Sequence, residues 1–574
     1  MRLGKLGRLG LLLAVLAMVA AGCAGDEDGG GAGTDQAAGE PVRGGTLRVV
    51  NEEDVDYWDT GSAYTVTAWT FARLHVRTLY SWDSNRPPDQ PGEPVPDIAA
   101  EPPTISDDRL TYTFKLKPNV KYAPPVNRAV KADDFIYAVE RQFDKQFPSP
   151  NPYNTVIKGV EEFSDGKAES ISGMKAVDDT TLEITLTQPA SDFLSIMATN
   201  FMAPIPEEYA SKYKPQTDYS KVYRGAGPYY LEKWTPNKSA TFVRNPNWDA
   251  ASDPLRKAYV DKVEVRIGVD QNAAQQQIES GDADLSVDNE PPPQDLQRVA
   301  NDPTLSKQFI APLDGCTRYL TLQTDSGPTS KLEVRQALNY AVDKEAVVRA
   351  VGGRMAADPS STILTPALVG YQKYDLYPTP NSRGDPAKAK ELLTQAGYPN
   401  GVTINMVSQT SGEGPRILTS LQESLGRAGI KLKNKGYNYP AIYTDSLQLT
   451  SKKTEHQIGQ AAWCPDYPGN GARTFMGVLL DGRKITPQSN NNYGDYNSEK
   501  TNQLIDQALT AADPDAAAAA WAQADKQAMT DAAWVPLTYD KRGKFWSSRV
   551  KNYKYSLWVT NADFANLWLD PNTP

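Results

Sequence analysis

The chain has 574 residues, a formal charge of -10, and 70 Asp and Glu against 60 Lys and Arg. That length exceeds what one hydrophobic core serves, so two or more lobes are expected. The acidic balance, without any strongly basic run, excludes a nucleic-acid surface, and His75 and His456 are the only histidines.

Arg2, Lys5 and Arg8 open an amino-terminal targeting segment, residues 1–22, and its apolar run from Leu9 to Ala21 is too short to cross a bilayer of roughly 30 Å. The run ends in Ala20-Ala21-Gly22-Cys23, which resembles the lipobox of bacterial lipoproteins, with Ala20 where Leu is usual. The resemblance implies a lipid on Cys23, which becomes the first residue, and an extracytoplasmic location on the outer face of the membrane. Without it, the segment reads as an ordinary secretory signal. Residues 23–44, rich in Gly, Ala and acid, read as a flexible tether.

The text GGTLRVV from Gly44 reads as a first strand, and a helix is expected from about Val66 to Leu79. After a Pro-rich crossing, Leu110, Tyr112, Phe114 and Leu116 alternate with polar residues as a half-buried strand. Asp133 and Asp134 then mark a helix start, with Phe135, Val139 and Phe143 on one face. Thr180–Thr187 alternates again, so residues 91–224 are expected to form a sub-domain with its own sheet. Val263, Val265, Ile267 and Val269 predict a strand, Asn272–Ser280 a helix closed by Gly281, and Asp284-Leu285 a further strand, together a right-handed parallel unit.

A second lobe is expected from Cys316. Ser330 and Glu333 have capping-box spacing, opening one helix through KLEVRQALNYAVDKEAVVRAVGG. Asp385, Pro386 and Gly397 delimit another helix. Val402–Val407 and Ile430–Lys433 predict strands around a helix from Pro415 to Ala428, and a last helix runs from Asp513-Pro514 to about Ala532. The alternation favours α/β. Val535–Tyr539 is expected to return the chain to the first lobe, which then comprises residues 45–90, 225–315 and 535–574, with 316–534 as the second lobe.

No G-x-S-x-G, H-E-x-x-H, C-x-x-C or G-x-x-x-x-G-K-[ST] motif occurs. Neither a catalytic nor a metal site is expected, nor a cofactor. Cys316 and Cys464 are the only cysteines after Cys23, and their spacing leaves open one disulfide or two buried thiols. In Gln460-Ala-Ala-Trp463-Cys464-Pro465-Asp466-Tyr467 an apolar strand ends in an acid, which taken alone suits an Asx turn.

Several of these texts, in this order, resemble the family 5 extracellular solute-binding proteins, the peptide and nickel receptors of ABC importers. They are Thr111-Tyr-Thr-Phe-Lys-Leu116 with Ala132-Asp-Asp-Phe135, Gly225-Ala-Gly-Pro-Tyr229, Arg244-Asn-Pro-Asn-Trp248, Gly281-Asp-Ala-Asp284 and Val334-Arg-Gln-Ala-Leu338. Departures are Lys131 at the usual Thr or Ser helix cap, Ala226 for Thr, and Trp58-Asp59-Thr60 for Leu-Asp-Pro. The resemblance spans residues 45 to 560 and implies a two-lobed, periplasmic-binding-protein-like fold of type II, of the large class with an extra sub-domain in the first lobe. It further implies a monomer that delivers peptides to an ABC permease.

By the same resemblance to the oligopeptide receptors, Asp466 holds the peptide ammonium, Trp463 and Cys464 lie beside it at the ligand, Tyr64 to Val66 pair with the peptide backbone, and Tyr539 is a cleft tyrosine. A disulfide between Cys316 and Cys464 is implied too. Dipeptide receptors carry an Arg on the loop that here reads SQTSGEGPR, with Arg416 already in the helix, so a fixed dipeptide length is not implied. A receptor for an oligosaccharide or a metal complex, and a surface peptide hydrolase, stand as alternatives.

Overall fold

Thr46–Asn51 alternates Leu47 and Val49 into the interior and pairs in parallel with Lys262–Ile267 on one side and Leu285–Ser286 on the other. This fragment belongs to the computed structural model of the chain, which describes residues 39–86, 92–145, 147, 149, 151 and 153–573. The targeting segment, Cys23 and the tether as far as residue 38 lie outside the described residues.

Ser239–Arg244 and Tyr229–Thr235 complete a five-stranded sheet. The crossover between its parallel strands is the helix Gln271–Ser280, where the Asp270 carboxylate accepts from the Asn272 and Ala273 N–H groups and Gly281 closes the end at φ 81°. A positive φ there costs glycine nothing, since it has no Cβ. Residues 104–185 form a separate four-stranded antiparallel sheet, the one expected for the sub-domain. Its helix Ala132–Phe143 starts without a hydroxyl cap. The Asp134 carboxylate instead accepts from the Lys131 N–H at 2.8 Å and pairs with Arg128 at 2.6 Å, so the departure at Lys131 leaves the helix start satisfied.

The second sheet has six strands, in the order Ala357–Pro359, Trp534–Lys541, Leu313–Leu322, Ile458–Trp463, Val402–Gln409 and Ile430–Tyr437. Here the structure corrects the expected return of Val535–Tyr539 to the first lobe. Trp534–Lys541 lies inside the second lobe's sheet, antiparallel to Leu313–Leu322. The return comes after it, where Lys544–Phe545 pairs with Phe309–Ile310 and the Trp546 N–H donates to the Gln308 carbonyl. An apolar run shows that a strand is buried, not which sheet it joins.

Two helix expectations are also corrected. Ser330 ends a short turn and donates to the Gly327 carbonyl, so the capping box does not form and the helix starts at Leu332. That helix stops at Ala341, and Asp343 caps a second one, Lys344–Val351, by accepting from the Ala346 N–H at 2.8 Å. The expected helix after Val66 ends at His75, four residues early, because Arg77 is drawn into buried contacts with Asp97 and Ser252. Asp385, Pro386 and Gly397 act as expected.

A large apolar cluster and a smaller one around Val50, Ile278 and Phe545 fill the first lobe, and two clusters fill the second. Tyr467 breaks the pattern: it follows a second-lobe strand and is buried in the first-lobe cluster. No helix among the described residues is long and apolar enough to cross a membrane.

Candidate functional site: a cavity between the lobes

The site is positioned by two neighbouring strands of the second sheet, Leu313–Leu322 and Ile458–Trp463, whose antiparallel register sets Thr317 opposite Trp463. Continued by one residue, that register faces Cys316 with Cys464, and the two are bonded with their Cα atoms 4.2 Å apart. The bond pins the start of Pro465-Asp466-Tyr467, and the Asp466 N–H donates to Thr474 Oγ1 at 3.1 Å.

The Asp466 side chain makes no Asx turn; it reaches across to the first lobe. Tyr64 donates its hydroxyl to Oδ1 at 2.8 Å, and Tyr153 donates to Oδ2. Tyr64 is itself placed by Asp56, which accepts from the Tyr64 and Thr65 N–H groups at 2.7 and 3.2 Å just before the helix Val66–His75. Both of these carboxylate partners are neutral phenols. No Lys, Arg or His pairs with Asp466 among the described residues. Burial pushes the Asp466 carboxyl above the usual carboxylate range, against the opposing hydrogen bonds from Tyr153, Tyr64 and Thr474. Burial likewise raises both tyrosines, reinforced by the Asp466 charge.

Around this group lies a cavity of about 730 Å³, open solvent included. Tyr64, Val66, Trp69 and Trp558 line it from the first lobe, with Cys464, Asp466 and Ala367 from the second and Arg542 at the crossing. The structure therefore brings together Tyr64, Val66, Cys464 and Asp466. Trp463 and Tyr539 do not line this cavity. Trp463 donates its indole N–H to the Thr474 carbonyl at 2.9 Å and so supports the loop that carries Asp466. Tyr539 is buried in the second sheet, where its hydroxyl meets Thr362 and its ring meets Tyr371 edge-on. Arg416 lies in the helix Gly414–Arg427 and donates to the Ala350 carbonyl, so the preceding loop carries no arginine, as its text implies.

Several participants escape sequence reasoning. Tyr153, Trp69 and Trp558 stand in segments with no motif of their own; packing alone brings Tyr153 to Asp466 and the two tryptophans to the cavity. A buried clasp beside the cavity also went unforeseen: Asp192 of the sub-domain accepts from Arg473 at 2.5 and 2.8 Å and from the Tyr467 hydroxyl at 2.7 Å. The arrangement can hold a cation in a partly dry, aromatic-walled space. Among the described residues no group of three or more His, Cys, Asp or Glu could hold a metal ion.

Comparison with known proteins identifies the family. Residues 93–486 match the family model described as Bacterial extracellular solute-binding proteins, family 5 Middle. The chain is 29% identical over 478 residues to heme-binding protein A of Haemophilus influenzae, covering 80% of this chain and 81% of that one. It is 28% identical over 493 residues to di/tripeptide-binding protein 4 of Pseudomonas aeruginosa, covering 83% and 87%. Among solved structures, clavulanic acid biosynthesis oligopeptide binding protein 2 superposes with a TM-score of 0.85 at 29% identity, over 92% of this chain and 96% of that one. With a family match across most of its length and the two-lobed fold that the sequence motifs imply, the chain belongs to family 5 of the bacterial extracellular solute-binding proteins.

Proposed function

We propose that this protein captures peptides by their free amino end in the interlobe cavity and delivers them to an ABC permease, held at the membrane by a lipid on Cys23. The observation that carries the reading is Asp466, a carboxylate in the cavity whose side-chain partners are two phenols and the Thr474 hydroxyl, and no cation among the described residues. A desolvated carboxylate is costly until a positive charge joins it, and a charge-assisted ammonium contact is stronger than a neutral one. A peptide amino terminus supplies that charge, while Val66, Trp69 and Trp558 offer apolar surface to the side chains that follow it. Relatives named for di/tripeptide and oligopeptide binding support the peptide class.

Calorimetry on four combinations tests the reading: wild type and Asp466→Asn, each with a free and an N-acetylated peptide. Removing one member of a buried charge pair typically costs about 2–5 kcal/mol, roughly thirty-fold to several thousand-fold in affinity. Either change alone should produce such a loss, and the two should not add, because both remove one contact. Equal affinity of the wild type for free and acetylated peptides would refute the proposal. A thermal-shift panel that also holds oligosaccharides and haem separates the alternatives, since only a ligand of the native state raises Tm. Replacing Cys23 with Ser should release the protein from membranes once signal cleavage is verified.

A further inference from the structure

We infer that the cavity reads its ligand's amino end alone and makes no charge contact with a carboxyl end, so that peptide amides are held at least as tightly as peptide acids. The inference rests on the proposal that Asp466 receives the ammonium. Among the described residues three charged side chains line the cavity: Asp314, Asp466 and Arg542. Arg542 is the one cation among them, and its charge is already engaged. Its Nε and Nη2 donate to Asp314 Oδ2 at 3.3 and 3.2 Å, and Glu290 lies 3.6 Å from its Nη1. Asp314 is buried and also accepts the Cys316 N–H at 2.8 Å, so it is built into the strand that carries the disulfide.

An incoming carboxylate would have to displace Asp314 from Arg542, leaving a buried carboxylate unpaired, or share the guanidinium with two carboxylates and be repelled by both. Two other cations of this region are no freer. Arg318 is bracketed in the same way, by Asp540 at 2.8 Å and Glu413 at 3.4 Å. Nearby Lys544 is buried and donates to the Val287 carbonyl at 2.7 Å. The lining charges among the described residues thus sum to -1, two carboxylates against one guanidinium. One ammonium neutralises that sum, and a carboxylate brought in beside it restores the excess. The ligand class that fits is a primary ammonium on an apolar body, with its far end uncharged or projecting out of the cavity.

The test is equilibrium dialysis of the purified mature protein against an equimolar mixture of apolar di- to pentapeptides. Each is made as the free acid, the C-terminal amide and the N-acetyl acid, and the retained fraction is quantified by mass spectrometry. Amides are expected to be retained as tightly as acids, to within about threefold, or more tightly, and acetylated forms at least about thirtyfold more weakly. Acids favoured over amides by more than about threefold would overturn the inference and leave the peptide reading standing. Retention of no form would overturn the peptide reading itself, and this inference with it. Arg542→Gln should change the affinities of acid and amide by one common factor; a loss confined to the acids would assign Arg542 to the carboxylate and overturn the inference. Should that variant fail to fold, the wild-type ratio of amide to acid decides alone.

Discussion

At the scale of single residues, two carboxylates show what burial without a cation does. Asp466 faces a cavity, whereas Asp525 is wholly enclosed on the last long helix, with Oδ1 accepting from the Ile363 N–H at 3.0 Å. Desolvation pushes the Asp525 carboxyl up to about 7. In the unfolded chain the same group titrates near about 3.9, so the native state alone keeps this proton through the interval between. Its contribution to stability is whole below about pH 4 and is lost as pH rises towards 7, because the unfolded state then binds fewer protons. Asp525→Asn should flatten that slope, and calorimetric Tm values at pH 5 and pH 8 should lie closer together in the variant than in the wild type. Between low pH and pH 8 the wild type should lose stability of order 1–4 kcal/mol that the variant does not lose. Parallel Tm profiles for the two proteins would mean that Asp525 is ionised in the fold.

Strands and helices set the next scale, and there the disulfide is the feature with the largest expected effect. Cys316 and Cys464 are 148 residues apart, and closing such a loop disfavours the unfolded chain by about 5 kcal/mol at most on the chain-entropy model. The double replacement Cys316→Ala, Cys464→Ala should therefore lower the denaturant midpoint of the mature protein, by the equivalent of about 2–5 kcal/mol. An unchanged midpoint would show that the strand register holds the two segments without help. Asp343 makes a smaller point: Asp343→Ala should cost about 1 kcal/mol, because the helix Lys344–Val351 then loses its cap.

For the molecule as a whole, the lobes are joined by more than the two chain crossings. Tyr467 carries second-lobe sequence into the first-lobe core, and Asp192 holds it there with Arg473. Asp192→Asn should loosen this clasp, since it leaves the buried Arg473 guanidinium without its ionic partner. Small-angle scattering should then report a larger radius for the ligand-free protein, and stopped-flow displacement should give peptide release faster by tenfold or more. Identical radius and release rate in the variant would confine Asp192 to local packing.

Much of the fold is legible from local rules. Period-two alternation over Thr111–Lys115 and Lys262–Ile267, the Asp385-Pro386 helix start and the Gly281 helix end each arise from neighbours in sequence, and each is observed. The ordered family motifs carried the two-lobed architecture as well. Apart from the Cys316–Cys464 disulfide, which the family resemblance implied, partnership over long distance was not legible. Trp534–Lys541 joins the second sheet rather than the first, Asp466 meets Tyr64 from 402 residues away and Tyr153 from 313, and Asp192 finds Arg473 across 281. A strand's own pattern records that one face is buried without recording against what, and a carboxylate records a charge without recording its neighbours. Sequence by itself thus determined the elements, the order of the lobes and the acid at the cavity. Which side chains surround that acid, and which cation is already spent, follows only from how the two lobes pack, because those contacts join segments with no periodic relation along the chain.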